Sequence, residues 1–129
     1  MGRKFREERP ECVIPIQITE EPSNDPYLAR LVDKFNTILT ILDAADTITI
    51  TVAGVCDRLS RLLRLRLRRS PLIVSGPDAR EAIRLFDQAV KIIGSKPRAD
   101  PYVIDEWQRN IHVRARLLEE KITTGKVVL

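Results

Sequence analysis

Six arginines fall between Arg58 and Arg69, in the stretch RLSRLLRLRLRR, and no acidic residue interrupts them. Guanidinium groups fork onto phosphate oxygens, so the chemistry they suggest is electrostatic capture of a polyanion rather than bond making. Folded as a helix, the stretch sets Arg58, Arg61, Arg64 and Arg68 on one face, with Arg69 beside them. A helix C-terminus favours cations, which accounts for Arg68 and Arg69 but not for Arg58 and Arg61. Lys96 and Arg98, in a basic loop over 96–99, are expected as secondary contacts. The competing structural reading is that these cations pair with carboxylates of neighbouring helices, as in the surface ion-pair networks of thermophilic proteins.

Catalytic groups are not brought together anywhere along the sequence. His112 is the single histidine, and Cys12 and Cys56 lie far apart without CxxC spacing, so no metal site is expected. His112 lacks a nucleophile near it in sequence, and its charged neighbours Asp105, Glu106 and Arg109 mark a helix surface. Cys56 reads as core filling, although a helix N-terminus nearby would lower its pKa. Gly54 stands alone where a phosphate-cradling loop needs several glycines, so no nucleotide cofactor is expected. Ser75-Gly76-Pro77-Asp78 reads as a helix cap whose own carboxylate occupies the place of a bound anion. Glu20 with Glu21 and Asp43 with Asp46 read as solvated pairs. With six aromatic residues in all, a platform for stacking several bases is not indicated; Tyr27, Tyr102 and Trp107 are the candidate stackers.

The rest of the composition fits one folded domain. The chain has 129 residues, 43% hydrophobic and 31% charged, with a net charge of +4. That length buries a sizeable core, and that composition is not one of disorder. Sixteen arginines against six lysines favour forked contacts. No apolar run reaches the length of a membrane span and no secretory signal opens the chain, so a cytoplasmic protein with reduced thiols is expected. Residues 1–11 read as a flexible charged arm and 12–129 as a single domain.

Apolar spacing places the elements. Val13 to Ile18 is β-rich, and Pro15 marks an edge strand or bulge. Asp25-Pro26 is a helix start, and Leu28, Leu31, Phe35, Leu39 and Leu42 carry the helix to about Ala44. Thr47 to Val52 alternates and predicts a half-buried strand, with Gly54 as the turn into a helix from Val55 to about Arg69. Residues 63–69 also alternate, as a strand would, but most apolar positions fit one helical stripe. Pro71 stops that helix. Leu72 to Val74 is a short strand or linker, a helix opens at Ser75 and ends at Gly94, and a last helix covers about 100–123, stopped near Gly125. The expected fold class is α+β: a small sheet with packed helices, in the order β-α-β-α-(β)-α-α. In the last helix Ile104, Trp107, Ile111, Leu118 and Ile122 form a narrow stripe with charged flanks, which predicts either a homodimer or partner seam or docking on the domain itself.

The segment DTITITVAGVCDRLSRLLRLRLRR, residues 46–69, resembles the second strand, glycine turn and second helix of the Alba superfamily. The strand and helix over 13–44 stand in the matching order, so the resemblance covers about half the chain. It implies a small, basic, dimeric protein that binds DNA or RNA. Thr19-Glu20-Glu21-Pro22 stands where the family usually carries lysines, Asp57 replaces an apolar residue, and residues 77–123 read as helices where the family ends in a β-hairpin. No binding residue is carried over from it.

The sequence therefore predicts a non-enzymatic nucleic-acid-binding protein, without cofactor, that contacts the phosphate backbone through Arg58, Arg61, Arg64, Arg68 and Arg69. The alternative is a protein-interaction or assembly module using the last helix, its arginines serving as structural ion pairs.

Overall fold

The computed structural model describes residues 13–67 and 73–128. The expected arm over 1–11, Cys12, Arg68 and Arg69 lie outside the described residues. The fold is α+β. In chain order it runs β1 (Val13–Pro15), β2 (Gln17–Thr19), α1 (Pro26–Ala44), α2 (Ile50–Leu67), β3 (Ile73–Ser75), α3 (Gly76–Ser95), α4 (Pro101–Thr124) and β4 (Lys126–Val128).

The helices begin where the sequence supplies caps. Asp25 accepts the backbone N–H groups of Tyr27 and Leu28, and Asp100 accepts that of Val103, each followed by proline at the first helical position. Gly125 ends α4 at φ 67°, the one positive φ among the described residues, and its N–H donates to the Lys121 carbonyl.

Four helices enclose one main core. Phe35 and Phe86 sit at its centre, with ring centroids 5.7 Å apart, and Leu42, Ile48, Leu63, Leu85, Ile93, Ile104, Ile111 and Leu118 are buried around them. Burying each such side chain contributes about 1.5–3 kcal/mol, the main term opposing chain entropy. Strands form two separate pairs at the margin. β1 lies antiparallel to β4, with Val13 opposite Val128, and β2 lies parallel to β3, with Gln17 opposite Ile73. A smaller cluster of Ile16, Val74 and Ala79 sits under them. The Ile16 N–H donates to the Gly125 carbonyl at 2.7 Å, which extends the β1–β4 pairing by one position.

Three expectations are corrected. Thr47 to Val52 is not a strand: only Ile48 makes an isolated bridge, to Arg98, and α2 already begins at Ile50. The Thr49 hydroxyl accepts the Val52 N–H, and the Thr49 carbonyl accepts the Ala53 N–H, so Thr49 starts a helix. A strand would have turned Ile48, Ile50 and Val52 to the same side, whereas Ile48 is fully buried and Ile50 is exposed. Of the strand read into the Alba-like segment, only 50–52 is helical, and Ile48 before it makes the single bridge. Gly54, expected as a turn, lies inside α2, where a Cβ would stand 3.0 Å from Trp107 Cη2. Gly94, expected as a stop, lies within α3 and not in the left-handed region. Its missing side chain makes room for Gln108, whose amide donates to the Val90 carbonyl at 2.7 Å.

The α4 stripe is taken up by the chain's own core. Ile104, Ile111 and Leu118 are buried in it, Trp107 packs against it, and Ile122 packs against the Ile16 cluster. Of the two expectations for this stripe, a homodimer or partner seam or docking on the domain itself, the packing agrees with docking of α4 on its own domain.

Candidate nucleic-acid interface

α2 lies between α1 and α4, with Ala53, Cys56, Leu59, Leu63 and Leu67 turned to the core. Its outer face carries Arg58, Arg61 and Leu65, all exposed. Among the described residues, neither Arg58 nor Arg61 makes a hydrogen bond or ion pair. Asp57 is the one acidic residue of the helix, and it is turned aside. Arg114 of α4 holds it, with Nη1 2.6 Å from Asp57 Oδ1 and 2.6 Å from the buried Ser60 hydroxyl. The pair sits with 15% of each side chain exposed. Hence, among the described residues, the outer face of α2 is cationic and apolar, and no carboxylate pairs with Arg58 or Arg61.

Among the described residues, Arg64, Arg66, Lys96 and Arg98 are already engaged. Arg64 is half-buried and has a partner of its own. Arg66 lies roughly 80° and 140° around the helix from Arg58 and Arg61. It forks onto Asp25, Nε to Oδ2 at 2.5 Å and Nη2 to Oδ1 at 3.0 Å. That guanidinium, aided by the N–H groups of Leu28 and Tyr27, holds the Asp25 carboxyl down at about 2 despite its partial desolvation. The same bond raises Arg66 above the ordinary arginine value.

Lys96 and Arg98, expected as secondary contacts, each have partners within the fold. The Lys96 ammonium donates to the Leu42 carbonyl at 2.8 Å and to the Ala45 carbonyl at 2.6 Å, closing the C-terminus of α1. Those carbonyls lie at the negative end of the helix, where the Ala45 N–H reaches only that of Leu42, so a cation there is well placed. Arg98 pairs with Asp105 and donates to Gln108 Oε1 at 3.2 Å.

Beside the arginines lies a shallow hollow of ≈ 270 Å³ lined by Tyr27, Leu62, Leu65 and Arg66. The Arg66 guanidinium stacks 4.8 Å from the Tyr27 ring centroid, and that of Arg30 lies 5.9 Å from it. Tyr27 was a candidate stacker from the sequence, but the hollow was not visible there. It depends on the packing of α1 against α2, for which no local pattern exists. Helical spacing could have shown one part of it: Arg58 with Leu62, and Arg61 with Leu65, are pairs four residues apart.

Groups capable of covalent chemistry remain dispersed. Cys56 is buried, and burial, together with the Asp57 charge, pushes its thiol up to about 12, where it is no nucleophile at neutral pH. His112 is exposed on α4. At the start of α3, Ser75 donates its hydroxyl to the Glu21 carbonyl, and Asp78 takes the N–H and hydroxyl of Ser23. No group of three or more potential metal ligands occurs among the described residues. No described helix is long and apolar enough to cross a membrane.

No family model, curated protein or solved structure matches the chain.

Proposed function

We propose that this protein binds nucleic acid without catalysing a reaction, through phosphate contacts from the outer face of α2. One observation carries the reading: Arg58 and Arg61 are exposed and unpaired among the described residues, on a helix face bare of carboxylates. An exposed guanidinium without a carboxylate partner has only water for a phosphate to displace, and it forks onto two oxygens at once. Arg68 and Arg69 follow on in the sequence and extend the cationic tract. Binding by so few charges is moderate, indifferent to base sequence, and weakened by salt.

The test is a salt titration of oligonucleotide binding by fluorescence anisotropy. The expected plot of log affinity against log salt is linear and descending. In the Arg58→Ala/Arg61→Ala variant its slope falls by about two, one for each lost phosphate contact. Binding that ignores salt, or survives the double substitution unchanged, would refute the proposal.

One observation favours a second reading, a protein-docking surface. Leu65 stands 53% exposed between the arginines and the Tyr27 hollow, and arginine with aromatic and leucine surface is also the composition of protein interfaces. Retention of an acidic peptide, with no oligonucleotide binding, would select it.

A further inference from the structure

The hollow beside Arg58 and Arg61 specifies more than a charge. It is lined by Tyr27, Leu62, Leu65 and Arg66, with the Arg66 guanidinium lying over the Tyr27 ring. Tyr27 is 37% exposed and Leu65 53% exposed, so the walls are open to solvent. Arg66 is locked in place from two directions, by its fork onto Asp25 and by its stack on Tyr27. The flat groups are thus fixed before any ligand arrives, which lowers the entropic cost of stacking against them. Arg58 precedes Leu62 by one helical turn and Arg61 precedes Leu65 by one turn, so the phosphate-seeking groups and the hollow are adjacent on one surface, with about 5–6 Å between their Cβ atoms.

An aromatic ring and a guanidinium plane next to unpaired cations match a nucleotide whose base has left its stack. Bases in a duplex are sandwiched between neighbours and offer edges only, whereas bases of single strands offer faces, which aromatic and arginine planes cover. We infer that the α2 face prefers single-stranded nucleic acid and seats one unstacked base against Tyr27, Leu62, Leu65 and Arg66. This rests on the nucleic-acid reading above and adds to it the strandedness of the ligand. The hollow has room for one base rather than a row, which agrees with the small number of aromatic residues in the chain.

Affinities for a labelled oligothymidylate and for a blunt duplex of equal length, measured at one salt concentration, test the inference. The single strand is expected to bind at least about tenfold tighter. Tyr27→Leu and Leu65→Ala are each expected to weaken single-strand binding about five- to tenfold, the scale of one lost stacking contact, and to leave duplex binding and the salt slope unchanged. Tyr27→Phe keeps the ring and should bind as the parent does. Leu65→Ala alters an exposed side chain, so a thermal melt unchanged from the parent guards against a folding artefact. Equal affinity for the two ligands, with no effect of either substitution, overturns the base seat; a salt slope still sensitive to Arg58→Ala/Arg61→Ala would leave phosphate capture standing. Failure to bind either ligand overturns both readings.

Discussion

Arg66 and Asp25 tie the last turn of α2 to the first turn of α1: the carboxylate that caps one helix also receives the forked guanidinium of the other. One side chain therefore fixes a helix start, an interhelical contact and, through the stack of Arg66 on Tyr27, a wall of the proposed site. Damage to this pair should reach binding as well as stability.

The pair also sets an acid response. Asp25 is held down at about 2, below its value in an unfolded chain, so the folded protein binds this proton less readily than the unfolded one. Its contribution is present in full above the ordinary carboxylate pKa and is lost as the pH falls from there toward 2. Thermal melts across that window should show a decline in Tm. Asp25→Asn should flatten that decline and lower Tm at neutral pH. A parallel decline in the variant would rule the pair out as its source.

Arg114 and Arg116 separate buried from exposed ion pairs. Arg114→Met leaves the Asp57 carboxylate without its partner in a largely buried site, while Ser60 keeps its bond to the Asp57 carbonyl, and should cost about 3 kcal/mol in denaturant unfolding. Arg116, whose side chain is 42% exposed, bridges Asp87 and Glu119, and Arg116→Ala should cost under about 1 kcal/mol. Equal costs would contradict the burial argument.

Lys96→Met removes the cation from the carbonyls of Leu42 and Ala45 while keeping the aliphatic stem. A loss of about 1–3 kcal/mol in stability is expected, because charge-assisted bonds to helix-end carbonyls go unmade. Oligonucleotide affinity and salt slope should not change. A slope reduced by one would return Lys96 to the binding surface.

Gly54 and Trp107 form a contact that tolerates little added volume. Gly54→Leu should destabilise by about 2–3 kcal/mol, since a Cβ alone already stands 3.0 Å from the indole. The same change in a Trp107→Ala background should cost measurably less. Additive costs in the four-variant cycle would show that the two sites do not touch.

Cys56 should resist alkylation. In a Cys12→Ser background, reaction with iodoacetamide at pH 8 is expected only in denaturant, because the thiol is buried and its pKa is pushed up to about 12. Prompt labelling of the folded protein would mean that α2 opens.

Much of this fold could be read from local signals. Asp25-Pro26, Ser75 with Pro77, and Asp100-Pro101 are caps that act within one helical turn, and α1, α3 and α4 start where those residues predict. The misread segment, 47–54, carries two periods at once. Thr-Ile-Thr-Ile-Thr-Val suits a strand by itself, but among the described residues only Ile48 finds a bridge partner, and the helix claims the segment from Ile50 onward. Gly54 looked like a turn because its reason to be glycine, Trp107, comes from another helix. The site was legible in the same measure. Arg58 and Arg61 follow from helical spacing, whereas the fates of Lys96, Arg98 and Arg66 depend on carbonyls and carboxylates that only the assembled fold brings near.

The hydrogen bond from Ile16 to Gly125 has a consequence for the order of assembly. β1 and β4 are the described strands farthest apart along the chain, so their pairing closes the longest loop and gains nothing until the helices between them have gathered. The clasp they make should be the latest part to form and the earliest to let go, exchanging its amide hydrogens through partial openings that leave the Phe35–Phe86 centre protected.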